Sequence, residues 1–385
     1  MHHFILATKD AWISSGSNAA TTGISEKDQN YGKDQILELK KNFYNASFDY
    51  PTRVLIDFSG TEFTNMSKSI ADGSITNPQF YLRLYEAEGT TELSNEYKLA
   101  ALPISQSWDE GLGKFGDNPK VTTGVSWENR NNYPGSTEVT WSNSSGASLF
   151  GGATGSNSIS ASSQTFSNQS PDVEMDITNM TRGWLSGSNY EQGLNNYGLL
   201  LRFSGSQELD STTFGQLKFF SSETHTVYPP KIEVKWDDVN SCTGTNTGSM
   251  PQITSSGLVD NYVYPIGLRE SYHRNEKAKF RFGVRKRYIQ KTFSESVQTI
   301  TGSYVPNGSG SYSIKDLATG ETIVPFKDID DNSYTKLGCD GSYNYFNQWL
   351  SGFEPNRYYK ILIKIKYDDN QEIIYDDDFE FKVVN

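Results

Sequence analysis

The chain has 385 residues, a formal net charge of -12 at pH 7 and an isoelectric point near 4.9. An acidic balance of this size excludes the broad basic footprint of a nucleic-acid binder. Hydrophobic residues make up 35% and aromatics 13%, with 33 glycines, so the core leans on Tyr and Phe between many turns, the composition of an all-β chain.

The N-terminal ten residues hold four apolar residues in a row and no basic run, which predicts neither a signal peptide nor an anchor. No stretch approaches the ~20 apolar residues of a membrane-spanning helix. Phe4 to Ile13 reads as a strand, Ser14 to Asn30 as a Gly/Ser/Thr-rich loop, and Gln35 to Lys40 as a second strand. Arg53 to Phe58 is strongly apolar and is expected to be central. A polar loop is expected around Asn65, before a strand from Gln79 to Glu86. Val125-Ser126-Trp127 and Val139-Thr140-Trp141 give short strand signals. Ser142 to Ser170 is nearly all Ser, Gly, Asn and Ala and reads as a long irregular loop.

Asp172 to Phe203 organises the first half. Val173, Met175 and Ile177 alternate with Glu174 and Asp176, the period of a half-buried strand. Met180, Trp184 and Leu185 suit a short helix, and Leu199 to Phe203 an apolar strand. Lys231 to Trp236 alternates cleanly and reads as the strand that closes a domain. Composition then predicts a first domain over residues 1–236, a linker over 237–250 and a second domain over 251–385. In the second domain, Lys277 to Ile289 alternates basic and apolar residues. Tyr312 to Phe326 reads as a hairpin, and Tyr343 to Phe353 as a short strand or helical turn. In Tyr358 to Tyr367 the residues Ile361, Ile363 and Ile365 share one face, and the return strand places Phe379, Phe381 and Val383 inward. That hairpin is expected at the edge of an immunoglobulin-like sandwich.

Candidate chemistry is sparse. His2, His3, His225 and His273 are scattered, and no nucleophile elbow, phosphate loop or zinc pair stands in the sequence. Cys242 and Cys339, far apart and without metal-ligand spacing, are expected to be reduced thiols. No cofactor is expected. The acid clusters Asp237-Asp238, Asp328-Asp330-Asp331, Asp368-Asp369 and Asp376-Asp377-Asp378 leave room for a structural calcium without an assigned site. Trp108, Trp127 and Trp141 are candidates for stacking on sugar rings, against the plainer role of filling a sandwich core. Lys279, Arg281 and Arg285 form a basic strand face able to meet an acidic partner.

The order of several short motifs carries a resemblance. Asp10-Ala11-Trp12-Ile13, Asn30-Tyr31-Gly32, Arg53 to Phe58, Tyr81 to Tyr85, Trp108-Asp109-Glu110-Gly111, Val125-Ser126-Trp127, Asp176-Ile177-Thr178 with Trp184, Asn196-Tyr197-Gly198, and Ser221-Ser222-Glu223 before Pro230 together resemble the DNRLRE domain over residues 4–236. The resemblance implies a jelly-roll-like β-sandwich similar to carbohydrate-binding modules. The Ser142–Ser170 insertion and the loop around Asn65 depart from the pattern. Tyr312 to Leu317, Gly320-Glu321, Ile323 to Phe326 and Glu354 to Lys364 look like virion structural proteins of contractile-tailed phages of marine cyanobacteria.

The combined reading is an all-β protein, a jelly-roll-like sandwich followed by a smaller Ig-like sandwich. Its expected role is a non-enzymatic virion structural protein at neck, tail, baseplate or capsid surface, made in the host cytoplasm. Its expected partners are other virion proteins or a second copy of itself, with neither membrane nor direct nucleic-acid contact. The alternatives are a carbohydrate-binding module for a host surface glycan and, third, a glycan-cleaving enzyme.

Overall fold

The computed structural model describes residues 1–16, 25–41, 51–88, 96–133, 138–141, 161–167, 172–185, 195–210, 212–253, 261–288, 293, 296–297, 300–327, 334–368 and 371–385. The chain is an all-β sandwich protein in two compact units. One unit comprises Ile5–Gly73 and Gln79–Glu233; the other comprises Val234–Asn385 with Met1–Phe4 and Ser74–Pro78.

The strands up to Lys235 are β1 (His2–Ser14), β2 (Ile36–Lys41), β3 (Thr52–Phe58), β4 (Gln79–Leu84), β5 (Glu86–Glu88), β6 (Glu96–Pro103), β7 (Asn129–Asn131), β8 (Val139–Thr140), β9 (Ser162–Ser167), β10 (Val173–Asp176), β11 (Leu199–Phe203), β12 (Gly215–Phe220) and β13 (Lys231–Lys235). Eight of them form one sheet in the order β10-β4-β13-β1-β3-β11-β6-β9, and β2-β12-β5 form a second. The central strands are continuous apolar runs because both faces of their sheet are buried. Ala11, Ile13, Leu55 and Leu200 lie on one face beneath Trp108, Val125, Trp127 and Trp141. Trp12, Val54, Ile56, Leu199 and Leu201 alternate with them and are equally closed to solvent.

The central motif is as expected: β10, then the helix Thr178–Trp184, then β11. Three departures are instructive. Gly60–Ala71 is a helix rather than a polar loop, burying Phe63 and Met66. Ser162–Ser167, inside the stretch read as a loop, pairs with β6 as strand β9, while residues 142–160 and 168–170 lie outside the described residues. Val125-Ser126-Trp127 is not a strand. Its backbone instead bonds Asp109 and Asn129, holding the Trp127 ring in the core.

The second unit adds β14 (Asn261–Ile266), β15 (Ser271–His273), β16 (Lys277–Lys286), β17 (Gly310–Asp316), β18 (Thr322–Val324), β19 (Gly338–Cys339), β20 (Asn344–Trp349), β21 (Arg357–Asp368) and β22 (Gln371–Val384). They form two sheets, β14-β16-β20-β19 and β15-β22-β21-β17-β18. Their inner faces meet through aromatic contacts: Tyr312 stacks on Phe346 with centroids 3.7 Å apart, and Phe282 meets Phe379 at 5.5 Å. Ile361, Ile363 and Ile365 point into this core, as do Phe379, Phe381 and Val383. The terminal hairpin is not an edge, because β15 adds in parallel to β22 and β17 pairs with β21.

Residues 237–250, a linker by composition, lie within the second unit. Cys242 is joined to Cys339 by a disulfide across 97 residues of sequence, which corrects the expectation of two reduced thiols. The backbone explains the pairing: the Cys339 N–H donates to the Asn240 carbonyl at 3.0 Å, laying β19 alongside the segment. Asn240 N–H also donates to the Tyr345 hydroxyl at 3.1 Å. A Ser/Thr/Gly/Asn composition reads as a linker when no cross-link is visible in it.

Candidate functional site

Three of the sequence motifs converge on β1. Asn30 is fully buried, and its side-chain amide donates to the carbonyls of Glu110 and Val125, both at 2.7 Å. Its oxygen accepts from Gly113 N–H at 2.8 Å. The next residue, Tyr31, stacks on Trp12 with centroids 3.7 Å apart, and Trp12 Nε1 donates to Asp34 at 3.1 Å. Gly32 permits this approach: a Cβ there would sit 1.9 Å from the Glu110 carbonyl oxygen. Gly111 has φ +88°, and a Cβ would lie 2.1 Å from the Thr123 carbonyl oxygen. Both positions need glycine because backbone meets backbone.

Charge closes the same cluster. The Asp10 N–H donates to Glu110 at 3.1 Å, and the Asp10 carboxylate accepts from Ser222 N–H at 2.8 Å. Lys33 bridges Glu110 at 2.5 Å and Glu223 at 2.6 Å. The loops at Asn30–Asp34, Glu110–Gly113 and Ser221–Glu223 are thereby fastened to one strand. The ammonium already neutralises two of the three carboxylates, and Asp10 is closed to solvent. The arrangement is a clamp that holds loops in place.

Asp10 makes the clamp pH-sensitive. Burial pushes its carboxyl up to about 7, opposed by the Ser222 hydrogen bonds and reinforced by the charges of Glu110 and Glu223. Among the described residues, its Oδ1 has no hydrogen-bond partner. A group whose folded pKa is raised contributes stability below its ordinary value, here 3.8, and loses it as the pH climbs through about 7. The thermal midpoint of the Ile5–Glu233 portion is therefore expected to fall between about pH 4 and about pH 7. Asp10→Asn, neutral throughout and still able to accept from Ser222, is expected to flatten that fall. An unchanged pH dependence in the variant would remove Asp10 as its source.

The three candidate sugar-stacking tryptophans are core residues. Trp108, Trp127 and Trp141 are 2%, 8% and 3% exposed, so their ring faces are not open to a ligand. Trp108 Nε1 donates to the Tyr197 carbonyl at 2.9 Å, and Trp141 Nε1 to the Ser126 carbonyl at 3.0 Å. The Arg53 guanidinium covers Trp127 at 4.7 Å. The hydrogen bonds of Trp108 and Trp141 satisfy their indole N–H groups inside the core.

The basic face on β16 is partly committed within its own unit. Lys279 and Arg281 share Asp340 at 2.9 and 2.8 Å. Burial raises the Asp340 carboxyl, but these two hydrogen bonds prevail and hold it at about 2. Lys279 also lies 3.8 Å over the Tyr345 ring. Arg285 is placed differently, 4.9 Å over the half-open ring of Tyr262.

Among the described residues, no group of three or more His, Cys, Asp or Glu is placed to hold a metal ion. Asp237 pairs with Lys336 at 2.5 Å, Asp238 with Lys277 at 3.6 Å, and Asp376 and Asp378 with Lys360 at 2.5 and 2.9 Å. The Asp328–Asp331 cluster and Asp369 fall outside the described residues. No described helix is long and apolar enough to cross a membrane.

Two outward apolar stretches were not singled out from the sequence. Leu112 and Phe115 are 68% and 63% exposed on the loop that Asn30 and Gly113 hold in place. Tyr288, Phe293, Val297 and Ile300 follow β16 and are 78%, 113%, 96% and 53% exposed. Their sequence signal is apolar residues beyond the point where strand alternation stops.

No family model and no curated protein matches the chain. Among solved structures, an apo Bacteroides uniformis beta-glucuronidase 3 is 8% identical, with a TM-score of 0.17 over 81% of this chain and 28% of that one. A Salmonella alpha-2-macroglobulin reacted with methylamine is 8% identical, with a TM-score of 0.21 over 100% of this chain and 26% of that one. The chain thus spans about a quarter of the length of either protein, and likenesses at these scores carry no functional argument.

Proposed function

We propose that the chain is a non-enzymatic structural protein of a phage virion, docking on or bridging subunits of the particle. The observation that supports this reading best is the exposure of Tyr288, Phe293, Val297 and Ile300, which follow Arg285, Lys286 and Arg287 in the sequence after β16. Large exposed apolar groups rimmed by charge mark surfaces made for another protein. In the same unit, Lys279 and Arg281 are paired with Asp340. The virion setting rests on the resemblance of residues 312–364 to phage structural proteins. Glycan binding loses its supporting residues, because Trp108, Trp127 and Trp141 fill the core.

Quantitative mass spectrometry of purified particles tests the proposal. The expected result is this chain at a fixed ratio to the major particle proteins, retained through a density gradient. A chain recovered only in the particle-free lysate would overturn it.

A further inference from the structure

The outward face of β14 and β16 carries an aromatic patch with a cation in it. Strand alternation sends Val263, Phe280, Phe282 and Val284 into the core, where all four are buried. It leaves Tyr262, Tyr264, Gly283 and Arg285 on the opposite face. Register gathers them: Tyr262 lies opposite Arg285, and Tyr264 opposite Gly283. The two tyrosine rings are parallel within 15°, with centroids 5.7 Å apart. Tyr264 lies across Gly283, where a Cβ would come within 2.3 Å of the ring, so the surface there is level rather than pocketed. Tyr262 is 37% exposed.

Arg285 stands apart from the other cations of this face. Lys277 pairs with Asp238, and Lys279 and Arg281 share Asp340. The Arg285 guanidinium is instead 4.9 Å from the Tyr262 centroid and 5.9 Å from that of Tyr264. It donates one hydrogen bond, to the Lys286 carbonyl at 3.0 Å, and among the described residues no carboxylate pairs with it. Several of its five N–H donors are therefore unspent. Such a fork takes a carboxylate through two parallel hydrogen bonds. The aromatic surface beside it takes a flat ring rich in C–H groups, whose positive edges suit the negative face of the tyrosine. A level surface fits a sugar chain better than an anchor side chain, which needs a pocket. A nucleic-acid strand would bring one phosphate per nucleotide to a face whose remaining cations are held by acids.

We propose that this patch binds a uronate-bearing polysaccharide, with the carboxylate of one sugar on Arg285 and the C–H groups of its ring against Tyr262. The patch belongs to the Val234–Asn385 unit, whereas Trp108, Trp127 and Trp141 belong to the other. It needs no particle around it.

Isothermal titration calorimetry of the full chain tests this with short mannuronate, galacturonate and glucuronate oligosaccharides. At about 0.15 M salt the net charge of -12 is screened beyond about 8 Å, so contact at the patch decides the outcome. At least one of the three is expected to bind, and its uncharged counterpart is not. Arg285→Gln is expected to weaken binding about tenfold or more, the scale of a charge-assisted hydrogen bond. Tyr262→Ala is expected to weaken it about tenfold, while Tyr262→Phe, which keeps the ring, stays within about threefold. Lys279→Gln is expected to leave binding unchanged. Circular dichroism checks that each variant folds.

No binding of any of the three overturns the inference. So does an affinity that survives both Arg285→Gln and Tyr262→Ala, or an equal affinity for the uncharged sugar. Equal binding of polyglutamate would assign the patch to an acidic peptide, and equal binding of oligothymidylate to a nucleic acid; either result overturns it as well.

Discussion

Ile363→Ala is expected to destabilise the Val234–Asn385 unit by about 2–5 kcal/mol, the cost of the lost transfer energy plus a residual cavity. Ile363 is fully buried on β21, opposite Tyr312 on one neighbouring strand and Tyr375 on the other. Neither ring can easily move into the space. Tyr312 is stacked on Phe346 at 3.7 Å, and the Tyr375 hydroxyl is 2.6 Å from that of Tyr367. Limited collapse places the effect in the upper half of that range. Ile363→Val, which removes a single methylene, is expected to cost about 0.5–1.5 kcal/mol. Urea unfolding of both variants, read with a probe in this unit, measures the pair. A loss below about 1 kcal/mol for the alanine variant would contradict the packing of β21 against both neighbours.

Replacing Cys242 and Cys339 together by serine is expected to cost about 2–5 kcal/mol, the usual range for removing a native disulfide. The bond closes a loop of 97 residues by sequence separation, so its effect on the unfolded chain belongs to the larger cases. Both sulfurs are buried, packed with Met250 and against Tyr304. The effect has a local readout. In the oxidised protein, residues 237–250 are expected to resist limited proteolysis, despite a composition that invites cleavage. Reduction, or the double serine variant, is expected to open cleavage there. Equal cleavage before and after reduction would show that the disulfide does not hold the segment.

Legibility in the sequence followed the range of the physics. Strand alternation is local, so Ile361, Ile363 and Ile365 declared their face without any partner in view, and the structure buries all three. The same holds for β10, the helix after it and β11, whose apolar spacing and turn residues are set within a few positions. The helix at Gly60–Ala71 carried a readable signal, Phe63, Met66 and Ile70 at helical spacing, masked by the polar residues between them. For Asn30-Tyr31-Gly32 and Trp108-Asp109-Glu110-Gly111 the order along the chain was visible, but the reason for it was not. The reason is a carbonyl of Glu110 that comes within reach of the Asn30 amide and leaves no room for a side chain on Gly32.

The amino-acid sequence by itself determined the all-β class, the inward faces of the terminal hairpin and the acidity of the whole, because composition and period-two alternation act residue by residue. The tertiary structure decided what pairing across distance decides. It joined Cys242 to Cys339, buried Trp108, Trp127 and Trp141 beneath the main sheet, and set Asp340 between Lys279 and Arg281. It left Tyr288 and Phe293 outside while closing equally apolar neighbours in. A residue's type sets what it can do, but its burial and its charge partners depend on which distant strand comes to lie beside it, and no local pattern encodes that neighbour.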